Sequence, residues 1–269
     1  MESNTDLSLR YTKASTVKPG VYLIGAGPGA EDLITVRGAH LLGKADIVFY
    51  DALINPTMLD WCTSTNLVQV GKRCGSHSTS QRFINKQLVD AALKYKVVVR
   101  LKGGDPLVFG RAQEEIDALD EAGVYFEVVP GITTALAASA ELKQPPTSRE
   151  ISRTLTLTTM PSRCAYPDSP TSIYYMGRDQ LTMIANTLLI QGYSMDTPVC
   201  LVESVSLPTQ RFFSCELGGL LDGDAHHHFS DKSPVIVMVG EVYRKVAKKL
   251  NRLNTTDRVT TFLKHATAM

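Results

Sequence analysis

Along the first half of the chain, short β-branched runs alternate with longer stretches in which apolar residues recur at helical spacing. The alternation predicts strands at 21–24, 47–50, 67–70, 97–101 and 125–129, with helices over 31–42, 81–93 and 111–122 between them. This β-α-β rhythm implies a mostly parallel sheet covered by helices. A small-residue helix is expected over 132–140, and Gln144-Pro145-Pro146-Thr147 breaks it. The second half offers strands at 154–158, 172–176, 199–202, 211–215 and 235–239 and a helix over 180–191, a succession that suggests a mixed sheet. The resulting division is a disordered tail over 1–19, an α/β domain over 20–143, a second over 144–250 and a polar tail over 251–269.

Composition narrows the function classes. With 28 Lys and Arg against 27 Asp and Glu there is no basic field for nucleic acid or an anionic membrane surface, so an anionic ligand needs locally gathered cations. No run approaches the roughly 20 apolar residues of a membrane span, and residues 1–18 lack the pattern of a secretory signal. Five scattered cysteines without a C-x-x-C pair suit a reducing cytoplasm and no metal. His226-His227-His228 reads as a solvated loop and Trp61 as core or interface packing. Ser204 and Ser206 have no matching triad partners.

Two glycine turns carry the candidate chemistry. Gly25-Ala26-Gly27-Pro28-Gly29-Ala30 follows the first strand, where backbone can approach a ligand closely. It satisfies a loose dinucleotide fingerprint, with Asp46 or Asp51 at about 20 residues' distance for a ribose, so an NAD-binding domain is a rival reading. Pro28 inside the turn and a second turn, Gly103-Gly104-Asp105-Pro106, count against it. Ligands gather at the carboxyl ends of strands in such sheets, so two turns can line one pocket.

In order along the chain stand Gly25-Ala26-Gly27-Pro28-Gly29, Tyr50-Asp51, Val70-Gly71-Lys72-Arg73, Gly103-Gly104-Asp105-Pro106, Phe109-Gly110-Arg111, Glu114-Glu115, Pro130-Gly131-Ile132-Thr133 and Tyr175-Met176-Gly177. The set resembles the uroporphyrinogen III C-methyltransferases, within the S-adenosylmethionine-dependent tetrapyrrole methylases. The resemblance implies an α/β fold of two α/β domains with the active site in the cleft between them. It also implies a cytoplasmic homodimer acting on a tetrapyrrole, with S-adenosyl-L-methionine as methyl donor and S-adenosyl-L-homocysteine as product. Expected donor-binding residues are Pro28, Gly103, Gly104, Asp105, Val108, Thr133, Thr134, Met176 and Val205. Asp51 is the expected proton acceptor and Lys72 the donor, and Arg111, Glu114 and Arg149 are expected at the octacarboxylate substrate, with Arg73 and Arg153 as weaker additions. For single residues there are plainer readings: Asp105 as an Asx turn residue, Asp51 as a cap, and Arg111 with Glu114 as a surface pair.

The chain departs from the family pattern at a few positions. Ala52 replaces an arginine, Thr159-Met160-Pro161-Ser162 replaces a Gly-His loop, and Ala112-Gln113 replaces two glycines in a way that favours helix. Val205 stands where a glycine is usual, which predicts strain there if the backbone has positive φ.

Overall fold

The structure, a computed structural model, describes residues 17–63, 66–71, 81–160, 169–222, 224–230 and 233–252. Two compact units meet in sequence between Ile132 and Thr133. In the first, β1 (Gly20–Gly25), β2 (Ile47–Asp51), β3 (Leu67–Val70), β4 (Val97–Lys102) and β5 (Phe126–Val129) form one sheet in the order β3-β2-β4-β1-β5. Every pair is parallel. The central strands β1 and β4 are buried from end to end, as strands covered on both faces must be.

One face of this sheet packs Tyr22, Ile24, Val48, Val99 and Leu101 with Leu41 and Leu42 of α1 (Val36–Leu42). The other packs Val21, Leu23, Phe49 and Val98 with residues of α2 (Gln81–Ala92) and α3 (Ala112–Glu121), among them Leu88 and Leu119. The helix expected over 31–42 is broken. Glu31–Leu33 is a 3-10 turn, and α1 starts only after Thr35, whose extended backbone and Oγ1, accepting from Gly38 N at 3.1 Å, make it the N-cap.

The second unit contains α4 (Thr134–Glu141), β6 (Thr156–Thr159), β7 (Thr171–Tyr175), α5 (Leu181–Ile190), β8 (Pro198–Glu203), β9 (Arg211–Glu216), β10 (Val235–Gly240) and a helix α6 over 244–252. Its sheet runs β6-β7-β10-β8-β9, with β6 and β7 parallel and the remaining pairs antiparallel, so it is mixed. On α5, Leu181, Ile184, Ala185 and Leu188 are buried at helical spacing and pack into a core with Tyr174, Leu201 and Val237.

Several local expectations are revised. Helix α4, placed with the first domain from its sequence position, lies in the second unit. Ser214 Oγ bonds Ala247 O at 3.0 Å and Asn251 Oδ1 at 2.8 Å, so α6 continues to residue 252, past the start expected for a polar tail. Asp224–His228 is a 3-10 turn rather than an irregular loop; His227 is exposed as expected, whereas the His228 ring stacks on Phe213 at 4.0 Å. Trp61 is 46% exposed, which removes the core alternative of the two packing roles expected for it.

Candidate active site

Strands β4, β1 and β5 lie side by side, and the turns leaving their carboxyl ends are bonded to one another. The Gly27 N–H donates to Gly104 O at 3.2 Å and the Gly104 N–H to Gly27 O at 2.7 Å. Both residues have φ in the left-handed region, +79° and +67°, which glycine adopts at no steric cost. The third turn closes as tightly: a β-carbon on Gly131 would lie 2.2 Å from Gly104 O, and one on Gly25 2.6 Å from Gly131 Cα. Asp105 spans the assembly. Its Oδ1 accepts from Leu107 N at 2.9 Å, an Asx turn, while Oδ2 accepts from Gly131 N at 3.0 Å.

The structure thus brings Pro28, Gly103, Gly104, Asp105 and Val108 to one sheet edge. A β-carbon on Gly103 would meet nothing within 4 Å, so a strip of main chain stands open there. Such a strip fits the polar ends of a methyl donor. It also removes Asp46 as a ribose ligand. That carboxylate accepts from Lys96 N at 2.9 Å and Val97 N at 2.8 Å, at the amino end of β4 and away from the turns.

Asp51 ends β2 beside β4, at the same carboxyl edge. Its Oδ1 takes Arg100 Nη2 at 2.5 Å. Arg100 in turn donates Nε to Glu115 Oε1 at 3.0 Å and Nη1 to Leu101 O at 3.1 Å, while Lys102 Nζ meets Glu115 Oε2 at 2.9 Å. Gln81 Nε2 adds a contact of 3.2 Å to Glu115 Oε1. Arg100, Lys102 and Glu115 are fully buried, whereas the Asp51 side chain is 34% exposed. Burial opposes charge on Arg100, but Asp51 and Glu115 more than offset it and raise its pKa. On Lys102 burial, together with Arg100, wins over Glu115 and the pKa falls. In the sequence Glu115 stands in a motif but has no role, and Arg100 and Lys102 stand in none. The available signal was a pair of cations two residues apart in an otherwise apolar central strand, where both must find a buried anion.

Arg111 has the left-handed φ of +53° and immediately precedes α3, and Phe109 two residues earlier has +54°. Strained backbone of this kind collects at functional loops and costs about 1–3 kcal/mol per residue. The guanidinium is held by both oxygens of Glu114, Nε to Oε1 at 2.8 Å and Nη2 to Oε2 at 2.9 Å. That pairing with Glu114 raises the Arg111 pKa, and both side chains remain exposed. Lys72, Arg73 and the residues 161–162 of the departing loop lie outside the described residues.

In the second unit β6, β7 and β8 point the same way, so Met176 after β7 and Val205 after β8 share one edge. Thr133 and Thr134 open α4, and Tyr175 ties that helix to this edge: its hydroxyl bonds Thr133 Oγ1 at 2.5 Å and accepts from Ala135 N at 3.3 Å. The Tyr175 hydroxyl thereby serves where an N-cap side chain would. Met176 has φ +52° and is 66% exposed. The condition for strain at Val205, a positive φ, is not met. The positive φ values fall on its neighbours, Ser204 at +51° and Ser206 at +62°, leaving Val205 buried at 3% exposure. Arg149 is exposed in the short loop closed by the Ser148–Ser152 bridge, and Arg153, exposed just after it, donates Nε to Arg149 O at 3.2 Å.

Residues 20–221 match the profile of the tetrapyrrole (corrin/porphyrin) methylases. A uroporphyrinogen-III C-methyltransferase of Pseudomonas aeruginosa is 42% identical over 240 residues, 85% of this chain and 96% of that protein. A siroheme synthase of a Psychrobacter species is 40% identical over 82% of this chain, which spans only 47% of that longer protein. Among solved structures, the uroporphyrin-III C-methyltransferase of Thermus thermophilus complexed with S-adenosylhomocysteine aligns with a TM-score of 0.72 at 34% identity, over 84% of this chain and 99% of its own. With the bonded glycine turns and the ion-paired Asp51 in place, the chain belongs to the tetrapyrrole methylase family.

Proposed function

We propose that this protein transfers two methyl groups from S-adenosyl-L-methionine to uroporphyrinogen III, at C2 and then C7, giving precorrin-2 and S-adenosyl-L-homocysteine. The observation that carries this reading is Asp51, a carboxylate presented at the sheet edge that bears the open glycine strip. The names of the aligned relatives support the same chemistry.

The donor supplies an electrophilic methyl: the electron pair of a pyrrole carbon forms the new C–C bond while the S–C bond breaks and its pair stays on sulfur. The chain then has to position and to manage one proton. In the first unit Pro28, the backbone of Gly103 and Gly104, Asp105 and Val108 are the donor-binding residues, and in the second they are Thr133, Thr134, Met176 and Val205. Methylation leaves the macrocycle one positive charge richer. Asp51 accepts the ring proton whose loss restores neutrality; Lys72 is the proton donor of the same reading, and a proton it places on one ring atom is matched by one lost from another, so that one proton leaves the macrocycle per methyl transferred. Arg111, oriented by Glu114, and Arg149 bind substrate carboxylates. A cytoplasmic homodimer belongs to the same reading; among the described residues no helix is long and apolar enough to cross a membrane.

The test is Asp51→Asn, which keeps the shape and removes the base. Methyl transfer should fall about 100-fold or more, with S-adenosylhomocysteine binding by calorimetry unchanged. Transfer at the wild-type rate would remove Asp51 from the chemistry.

A further inference from the structure

Two cations buried in the middle of a parallel sheet are expensive, and apolar residues would fill the same space at lower cost. Arg100 and Lys102 are nevertheless both there, at 3% and 2% exposure, and one fully buried anion, Glu115, faces them. The second anion is Asp51, which is partly open to solvent. The buried group is therefore balanced only when the carboxylate at the strand edge is counted with it.

The geometry gives that balance a direction. Arg100 pairs in register with Phe49 of β2, so Asp51, two residues further, lies diagonally across on the same face. Three atoms of the guanidinium have separate partners: Nε on Glu115, Nη1 on the Leu101 carbonyl and Nη2 on Asp51. A planar fork held at three points does not rotate. Glu115 is fixed in turn by Lys102 Nζ and Gln81 Nε2 as well as by Arg100 Nε. The chain of contacts ends on a single oxygen of Asp51, and among the described residues no hydrogen bond is made to its other oxygen, Oδ2. Glu114, the neighbouring acid on α3, is committed to Arg111 and takes no part.

We infer that Arg100 is the positioning residue for Asp51, with Glu115 holding the guanidinium so that one carboxylate oxygen is fixed in the sheet and the other is presented to the tetrapyrrole. The inference rests on the reading of Asp51 as proton acceptor. Lys102 completes the device as the counter-charge that keeps Glu115 in place.

A double-mutant cycle on the full-length chain tests this. Arg100→Met leaves Glu115 paired with Lys102 and frees Asp51 into solvent. It should lower kcat for methyl transfer about 10- to 100-fold, with KM for the tetrapyrrole and the affinity for S-adenosylhomocysteine within about threefold of wild type. In an Asp51→Asn background the same change should lower kcat no further, because a residue acting through Asp51 has nothing left to position. Multiplying effects in the double variant, or an unchanged kcat in Arg100→Met, would overturn the inference while leaving Asp51 as the base. Wild-type kcat in Asp51→Asn alone would overturn the underlying reading and the inference with it. Should Arg100→Met not fold, Arg100→Lys, which keeps the charge but loses the fork, enters the same cycle with the same expected non-additivity.

Discussion

The Asp105 carboxylate bonds the Gly131 N–H at 3.0 Å, joining the turn after β4 to the turn after β5 across the end of β1. A residue that resembles a donor ligand is thus first a brace for the turns that would hold the donor. Asp105→Ala leaves the Gly131 and Leu107 N–H groups without their acceptor and should cost about 1–3 kcal/mol in denaturant unfolding. Asp105→Asn keeps one acceptor oxygen and should lose less.

The glycines of the same edge should respond in opposite ways. A β-carbon on Gly131 runs into backbone at 2.2 Å, so Gly131→Ala should cost more than about 3 kcal/mol of stability. Gly103 faces open space, and Gly103→Ala should change stability by less than about 1 kcal/mol. In that variant the affinity for S-adenosylhomocysteine, measured by calorimetry, should still fall about tenfold, because the methyl stands on the open strip.

Arg111 tests substrate recognition. Its bidentate pair with Glu114 is exposed and contributes about 0–1 kcal/mol to the fold, so Arg111→Ala should barely move the unfolding midpoint. Loss of a charge-assisted contact to a substrate carboxylate, about 1.5–3 kcal/mol, should raise KM for the tetrapyrrole about 10- to 100-fold.

The architecture was legible because it rests on local patterns. β-branched runs such as Val97-Val98-Val99 and the glycine turns after them are short-range signals, and the ten strands of the described residues fall near their expected positions. The buried charge group was harder, since Asp51, Arg100 and Glu115 are far apart in sequence and meet only through strand order and the packing of α3. The role of Tyr175 was hidden for a related reason. Thr133 looks like an ordinary N-cap, yet its side chain caps nothing, and the hydroxyl that does arrives from β7. At Val205 the sequence located an unusual turn but not which residues bend, and the strain sits on Ser204 and Ser206.

Acid should weaken the second unit through Glu203. Burial pushes its pKa up, but Arg211 Nε at 2.6 Å and the Ser230 N–H at 2.9 Å outweigh burial and hold it below the ordinary value. A carboxylate with a depressed folded-state pKa contributes stability above its unfolded value, roughly 4.3, and loses it as pH falls through the folded one. Thermal unfolding followed from pH 6 downward, roughly, should show Tm dropping once pH passes below about 4.3. Glu203→Gln should flatten that part of the curve.

Anaerobic incubation of the protein with uroporphyrinogen III and methyl-labelled S-adenosylmethionine, with label counted per macrocycle, decides whether the chain is the methyltransferase its geometry describes. Two labelled methyls per tetrapyrrole, passing through a singly labelled species, is the expected result. Donor bound with no label transferred to the ring would contradict it.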